Sequence, residues 1–402
     1  MERKGNTNLN QRRKEKEMKK LSLILIGLMA CLVIGVSTTR GQGIVYSLED
    51  LGVVKEMEAS QSAALNSFGS VVGTAYGGEY PMCAFHYDYL QKFIHEEGAP
   101  DSRAFGINSM SMIVGDAFRV GPMEPRSHAT LWKDGVPMDL GVLPGQAYSR
   151  ANGINAIGQV VGYSGLQRDS AESRAFVWSA QTGMFDIGTL GGAYAQAYAI
   201  NDIGYITGAS QTQGMGPMLT THAFLYRVPS PAYSRLNRMV DLGVLGGISS
   251  YGTAINNHNH VAGYSTLSTK DDRVHAFLHD GTRMIDLGSL GGPGNRWGSD
   301  FSVALGLNNY DQVVGYTYLL AVAEMPIQQV AFLWSRAPGG SEQMVNLNTL
   351  LFRQDKDYLL SSATGINDRG QIAATAYYMP TGAVHAVLLT PTGPPRPPVP
   401  GR

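Results

Sequence analysis

Seven asparagines, Asn66, Asn108, Asn155, Asn201, Asn256, Asn308 and Asn367, each open the same short phrase. Seven positions later a small residue closes it: Gly73, Gly115, Gly162, Gly208, Gly263, Gly315 and, in the last copy, Ala374. The phrase returns at intervals of 42 to 59 residues. A unit that recurs at this period is one supersecondary module, which cannot bury its apolar face without its neighbours. Length alone would divide 402 residues into two or three domains; the repeat overrides that prior and predicts one body. The 49 glycines exceed the ordinary share of about 7 % and point to many tight turns.

The third unit reads as four short strands: Ala151–Asn155, Gly158–Ser164, Arg174–Trp178 and Met184–Leu190. Each is a run of β-branched, aromatic and small residues bounded by turn formers, and none is long enough for a helix. Between the first two, Asn155 suits the opening of a type I turn and Gly158 supplies a left-handed residue. The other copies place Gly69, Gly204, Gly370, Asn259 or Asp311 there, all tolerant of positive φ, and only Ser111 departs. The repeated Asn is therefore read as a turn cap.

The third strand recurs as His-Ala-Phe or a variant, at Cys83, His128, Arg174, His222, His275, Val330 and His385. The fourth recurs as Asp-Leu/Ile-Gly at Asp139, Asp186, Asp241 and Asp286, weakens to Asn346-Leu347-Asn348, and in the first unit decays to something near Tyr89–Ile94. The last unit has no fourth strand of its own. An unattached Asp50-Leu51-Gly52 instead stands in Tyr46–Val53, ahead of the first unit. Moving that strand to the end completes seven four-stranded units. The expectation is an all-β, seven-bladed β-propeller closed by the N-terminal strand completing the last blade. An open β-solenoid would account for the period but not for the displaced strand.

Taken together, the phrases GIN, GQVVG, HAF and DLGTLGG resemble the bacterial extracellular repeat proteins called the HAF family, over roughly residues 45–390. The resemblance implies an exported, propeller-like protein and brings no enzymatic activity with it. This chain replaces the His at Cys83, Arg174 and Val330, and the Phe at Thr130 and Val387. That argues against a catalytic or metal role for the repeated His.

Residues 1–43 read as a signal peptide or N-terminal signal anchor. Met18-Lys19-Lys20 precedes sixteen uncharged residues, Leu21–Val36, and then a polar stretch to Gly43. Met18 is an alternative start. The expected location is extracellular, periplasmic or at the cell surface, with membrane contact only through an uncleaved signal segment. Residues 44–390 form the propeller, and 391–402 (PTGPPRPPVPGR) are expected to be a disordered tail that pairs into no sheet. Beyond residue 43 there are 22 basic and 29 acidic groups, a net of −7, which is unsuited to nucleic acid. The two cysteines, Cys31 in the apolar run and Cys83, exclude a disulfide framework.

The turn between first and second strands is uniform, whereas the second–third loop varies in length and shares a face with the fourth-to-first crossing. Recognition belongs on that variable face, and the opposite face is expected to be inert. The candidate contacts are Arg296, Trp297, Asp300, Tyr251, Tyr194, Tyr148, Arg150 and Arg353, aromatics beside charges that suit a glycan or a protein surface. The expected function is a noncatalytic, monomeric scaffold or binding module without metal or cofactor. The alternative is a glycan-cleaving propeller enzyme, for which the first strands are poor in the necessary paired carboxylates. The His and Asp motifs lie near the meeting ends of the third–fourth hairpin. The expected pairs are His128 with Asp139, Arg174 with Asp186, His222 with Asp241, His275 with Asp286, and, across the chain ends, His385 with Asp50.

Overall fold

A computed structural model describes residues 44–392, apart from 55–56, 78–81, 91–92, 97–100, 120–125, 169, 214–219, 229–237, 271–272, 292–299, 320–327 and 337–341. The expected signal segment, Arg296 and Trp297 thus lie outside the described residues. Seven antiparallel four-stranded sheets are formed, six of them from consecutive strands. Blade 3 consists of Tyr148–Ile154, Val160–Gly165, Arg174–Ser179 and Gly183–Asp186. In blade 7 the strands Tyr358–Ile366, Ile372–Tyr378 and Ala383–Thr392 are completed by Val45–Asp50 from the start of the chain. That strand pairs in register from Val45 opposite Thr392 to Asp50 opposite Val387. The molecule is a closed seven-bladed β-propeller.

Closure is also written in the seven asparagines. Each side-chain Oδ1 accepts from backbone amides within its own turn, for example from His258 and His260 at Asn256. Each Nδ2 donates to the main-chain carbonyl of the equivalent Asn one blade on, at 2.8–3.3 Å. The series runs Asn66 to Asn108 and onward to Asn367, and Asn367 returns to Asn66. The caps are therefore also a hydrogen-bonded girdle, and all seven are buried. A backbone relay reinforces part of it: the amides of Ala156, Asp202, Asn257 and Asn309 each donate to a side chain of the next blade. The fourth turn position is left-handed in every blade, including Ser111 at φ 55°.

The apolar cores lie between blades. One combines Leu131, Leu140 and Leu143 of blade 2 with Ala151, Val160 and Phe176 of blade 3. Another joins Leu388 and Leu51 of blade 7 to Val71, Phe85 and Tyr87 of blade 1. The glycine that closes each phrase pairs with the aromatic position of the third strand, as Gly162 does with Phe176. A methyl group on Gly162 would collide with the Arg150 carbonyl and sit 2.9 Å from the Phe176 ring. Where the last blade carries Ala374, its partner is the smaller Val387, and the first strand has an additional register shift between Leu360 and Ser362.

Three boundaries differ from the sequence expectation. The Asp-Leu-Gly strands end at the Asp, because its carboxylate turns back to accept the amide of the following Gly. In blade 1 the fourth strand is Phe93–Glu96 rather than Tyr89–Ile94. Asp88 accepts the Leu90 amide and so draws Tyr89 and Leu90 into the turn. The tail also begins later than residue 391: Pro391 and Thr392 pair with Tyr46 and Val45. The proline is accommodated because Leu389 is the last residue of its strand opposite the Ile372–Tyr378 strand, leaving an open edge there.

Candidate functional site

The loop face is organised by the open ends of the third–fourth hairpins, where each third strand begins and each fourth strand ends. His128 Nδ1 lies 3.0 Å from the Asp139 carboxylate, and Arg174 Nη2 lies 2.9 Å from Asp186. His222, His275 and His385 each lie 2.8 Å from Asp241, Asp286 and Asp50. These contacts are diagonal. The Asp sits opposite the residue two beyond the cation, as Asp186 does opposite Phe176. In blade 6, Asn346 keeps the turn by accepting the Asn348 amide, and the buried Val330 takes the cation's place. In blade 1 Cys83 is buried, and Glu96 occupies the Asp register opposite Phe85.

A serine joins each His–Asp hairpin to the next blade, whereas Ala195 stands at that position beyond the Arg174–Asp186 hairpin. Ser149 Oγ accepts the Ala129 amide at 2.8 Å and donates to the Gly141 carbonyl. Ser60, Ser250 and Ser302 repeat both bonds. Sequence reasoning missed these residues, although a Ser near the start of the first strand recurs visibly at Ser60, Ser102, Ser149, Ser250 and Ser302.

His275 differs from the other histidines. Its Nδ1 meets Asp286, while its Nε2 lies 2.7 Å from Asp300. Burial pulls its pKa down, but hydrogen bonds to the two carboxylates outweigh that and raise it. The imidazolium can donate from both nitrogens at once. Asp300, expected at the ligand surface, is instead buried, and it also accepts from Ser289 and Arg273. It serves as a counter-ion because the ring of His275 reaches it from the neighbouring blade.

Tyr148 is likewise buried, with its hydroxyl donating to Asp116 at 3.0 Å. Asp116 is held in two-point fashion by Arg103. Arg150, on the same strand as Tyr148, lays its guanidinium 3.5 Å from the centroid of Phe105 and pairs with no carboxylate among the described residues. Arg353 is exposed on a 3-10 turn between blades 6 and 7.

Blades 4 to 6 present a different surface. Tyr198, Thr253, Tyr264, Val274, Phe301, Val303, Leu305 and Tyr316 line a cavity of ≈470 Å³. Tyr251 stacks on Tyr264 with centroids 4.8 Å apart and planes at 15°. Phe301 lies 5.0 Å from Tyr318 and 6.0 Å from Tyr316. The Tyr194 hydroxyl is 3.4 Å from that of Tyr198. Burial pushes the phenols of Tyr198, Tyr251, Tyr264 and Tyr316 above their ordinary value. They are therefore neutral rings with a hydroxyl handle, not bases. Sequence reasoning selected the flanking Tyr194 and Tyr251 but not Tyr198, Tyr264 and Tyr316, because the repeat places these three within strands and the other two in the crossings; in the structure all five lie on strands. The cationic and aromatic walls adjoin where Asn152 of the Arg150 strand donates to Ala197 at 2.8 Å. A wider depression surrounds Arg174 and Asp186 at the outer rim. Among the described residues no group of three or more His, Cys, Asp or Glu is placed to hold a metal.

Residues 249–384 match a family described as protein of unknown function (DUF3466). No curated protein matches the chain. Among solved structures, the chain is similar to the β-propeller domain of the Trilobed protease from Pyrococcus furiosus. That likeness has 8% identity and a TM-score of 0.53, and covers 86% of this chain and 99% of that one. An oligogalacturonate lyase in complex with manganese is 11% identical, with a TM-score of 0.49 and coverage of 88% and 99%. Likeness at such identities is one of fold alone. The Pyrococcus domain is described as having an open velcro topology, whereas here Val45–Asp50 closes the ring.

Proposed function

We propose that this protein is an exported, noncatalytic binding module that holds a glycan against the aromatic wall of blades 4 to 6. The carrying observation is the cavity lined by Tyr198, Tyr264, Phe301 and Tyr316. Sugar rings present apolar faces that pack on aromatic rings, while buried neutral phenols offer orienting hydrogen bonds. Arg150, adjoining this wall, suits an acidic substituent on the same ligand. Export rests on the sequence of residues 18–43. A glycan-cleaving enzyme would need two carboxylates facing one space. Among the described residues, the two buried carboxylates of this face, Asp116 and Asp300, are engaged by Arg103 and His275.

The test is a glycan array followed by titration calorimetry on the selected sugar. Tyr264→Ala and Phe301→Ala are expected to weaken binding by roughly tenfold or more, each loss corresponding to about 1.4 kcal/mol or more. Arg150→Ala should weaken acidic glycans and leave neutral ones unaffected. Unfolding midpoints measured alongside separate lost binding from lost fold. Undiminished binding by folded Tyr264→Ala and Phe301→Ala variants would overturn the reading.

A further inference from the structure

The girdle face, expected to be inert, carries an apolar crown. Two residues after each girdle asparagine, at the tip of the turn, stand Phe68, Met110, Ile157, Ile203, His258, Tyr310 and Arg369. Five of these are large apolar or aromatic side chains, and they are between 44% and 71% exposed. Single exposed apolar residues are ordinary. Five at one equivalent position, on turns bonded to one another around an axis, form a patch of the kind that marks an interaction surface. The turn chemistry does not require them, because the tip residue contributes only its backbone amide to the cap. The turns are also rigid, each fixed by its own Asn and by the next blade's carbonyl.

The chain enters the propeller at this same face. His385 and Asp50 meet on the loop face, so the opposite ends of their strands, Thr392 and Val45, lie on the girdle side. Pro391 packs near Gly370 of the Asn367 turn. Directly upstream of Ile44 the sequence has seven polar residues, 37–43, and before them the uncharged run Leu21–Val36 behind Met18-Lys19-Lys20. Seven residues reach at most about 25 Å when fully extended. Wherever that run is seated in a bilayer, the propeller is held within this distance and the crowned face is the one tethered toward the lipid.

We propose that the girdle face docks on a lipid surface, with Phe68, Met110, Ile157, Ile203 and Tyr310 entering the headgroup–acyl boundary. Apolar side chains on a rigid frame gain binding energy in the interface in proportion to the area they bury. Arg369, whose guanidinium lies 5.6 Å from the Phe68 centroid, sits at the level of lipid phosphates. This arrangement turns the variable-loop face, with its aromatic cavity, away from the membrane, although docking stands or falls independently of what that cavity holds.

The experiment uses the full chain, reconstituted into vesicles of phosphatidylethanolamine and phosphatidylglycerol. Cys31 is replaced by Ala, and a polarity-sensitive dye is attached through Ile157→Cys or, as control, through Leu166→Cys on the loop face. Both sites are well exposed, and Cys83 is buried. The expected result is a blue shift and quenching by nitroxide-labelled lipids at 157, with neither at 166. Replacing Phe68, Met110 and Ile203 together by Ser should remove most of the quenching at 157. A water-exposed dye at 157 in membranes would overturn the proposal. A blue shift that follows protein concentration without lipid quenching would also overturn it and assign the crown to a second copy of the chain.

Discussion

The two faces of this ring are tied together by different means. On the girdle face one residue type in one geometry is used seven times, and every Nδ2 bond to a main-chain carbonyl passes to the next blade until Asn367 returns to Asn66. On the loop face the charged ties run mainly within each blade and vary. Cation–Asp pairs are His–Asp in four blades and Arg–Asp in one, an apolar residue faces Asn in blade 6, and Cys83 stands in blade 1. The difference separates two requirements. Closing a ring needs identical links, because one missing link opens it. Recognising a ligand needs unlike neighbours, and the aromatic and cationic walls arise where the loop face departs from its own repeat.

That contrast predicts a ranking of effects. Asn256→Ala should be most costly. It strands the amides of His258 and His260 and removes the bonds to the Asn308 carbonyl and Asp311 in a buried site. A loss of about 3 kcal/mol in unfolding free energy is expected, measured by urea denaturation. A loss no larger than that from a loop-face pair would erase the distinction between the faces.

Next is His275, which bridges Asp286 and Asp300. Because its folded pKa is raised, its stabilisation is complete below its ordinary value of about 6.5 and is lost as pH rises through the folded value. Asp286 and Asp300 are lowered, with burial opposing and hydrogen bonds to His275 prevailing. Their contribution is present above about pH 4 and fades as pH falls through their folded values. Stability should therefore peak on the acidic side of neutrality. His275→Gln should cost about 2 kcal/mol near pH 6 and flatten the alkaline limb. An unchanged profile would show that the bridge does not hold the charge assigned to it.

The smallest effect is expected from His222→Gln. Its partner Asp241 is substantially exposed, and exposed pairs contribute about 0.2–1 kcal/mol. A double-mutant cycle with Asp241→Asn would measure it. A coupling as large as the His275 effect would mean that exposure does not govern these pairs.

The number of blades, the four strands in each and the displaced N-terminal strand were legible because they follow from local spacing, which a repeat displays many times. The second role of the asparagines was not legible. Oδ1 acts within five residues, but Nδ2 reaches a carbonyl 42 to 59 residues away, and 301 at the closure, and nothing in the local phrase distinguishes one bond from the other. Ser149 and its equivalents were hidden for the same reason, since they link residues distant in the chain, in the case of Ser149 those 8 and 20 positions upstream. The candidate site was read from the loops, whereas Tyr198, Tyr264 and Tyr316 reach their cavity from strands of three blades. Asp300 looked available in sequence because its partner His275 lies 25 residues away. The exit at 391 was misplaced because proline was weighed without knowing that one side of its strand lies open.

The central claim is that the chain's ends meet to close the ring, and cross-linking tests it most directly. With Cys31 replaced by Ala, Val45→Cys and Thr392→Cys place thiols on residues that pair in register. Directly opposed cross-strand residues have Cα atoms about 4.5–5.5 Å apart, within the range a disulfide spans. Mild oxidation of the native protein should join them within one chain, giving a faster-migrating species, whereas Val45→Cys with Ala383→Cys, at the far end of the same strand, should stay unlinked. A folded protein whose thiols at 45 and 392 remain free, or link only between molecules, would contradict the closed ring.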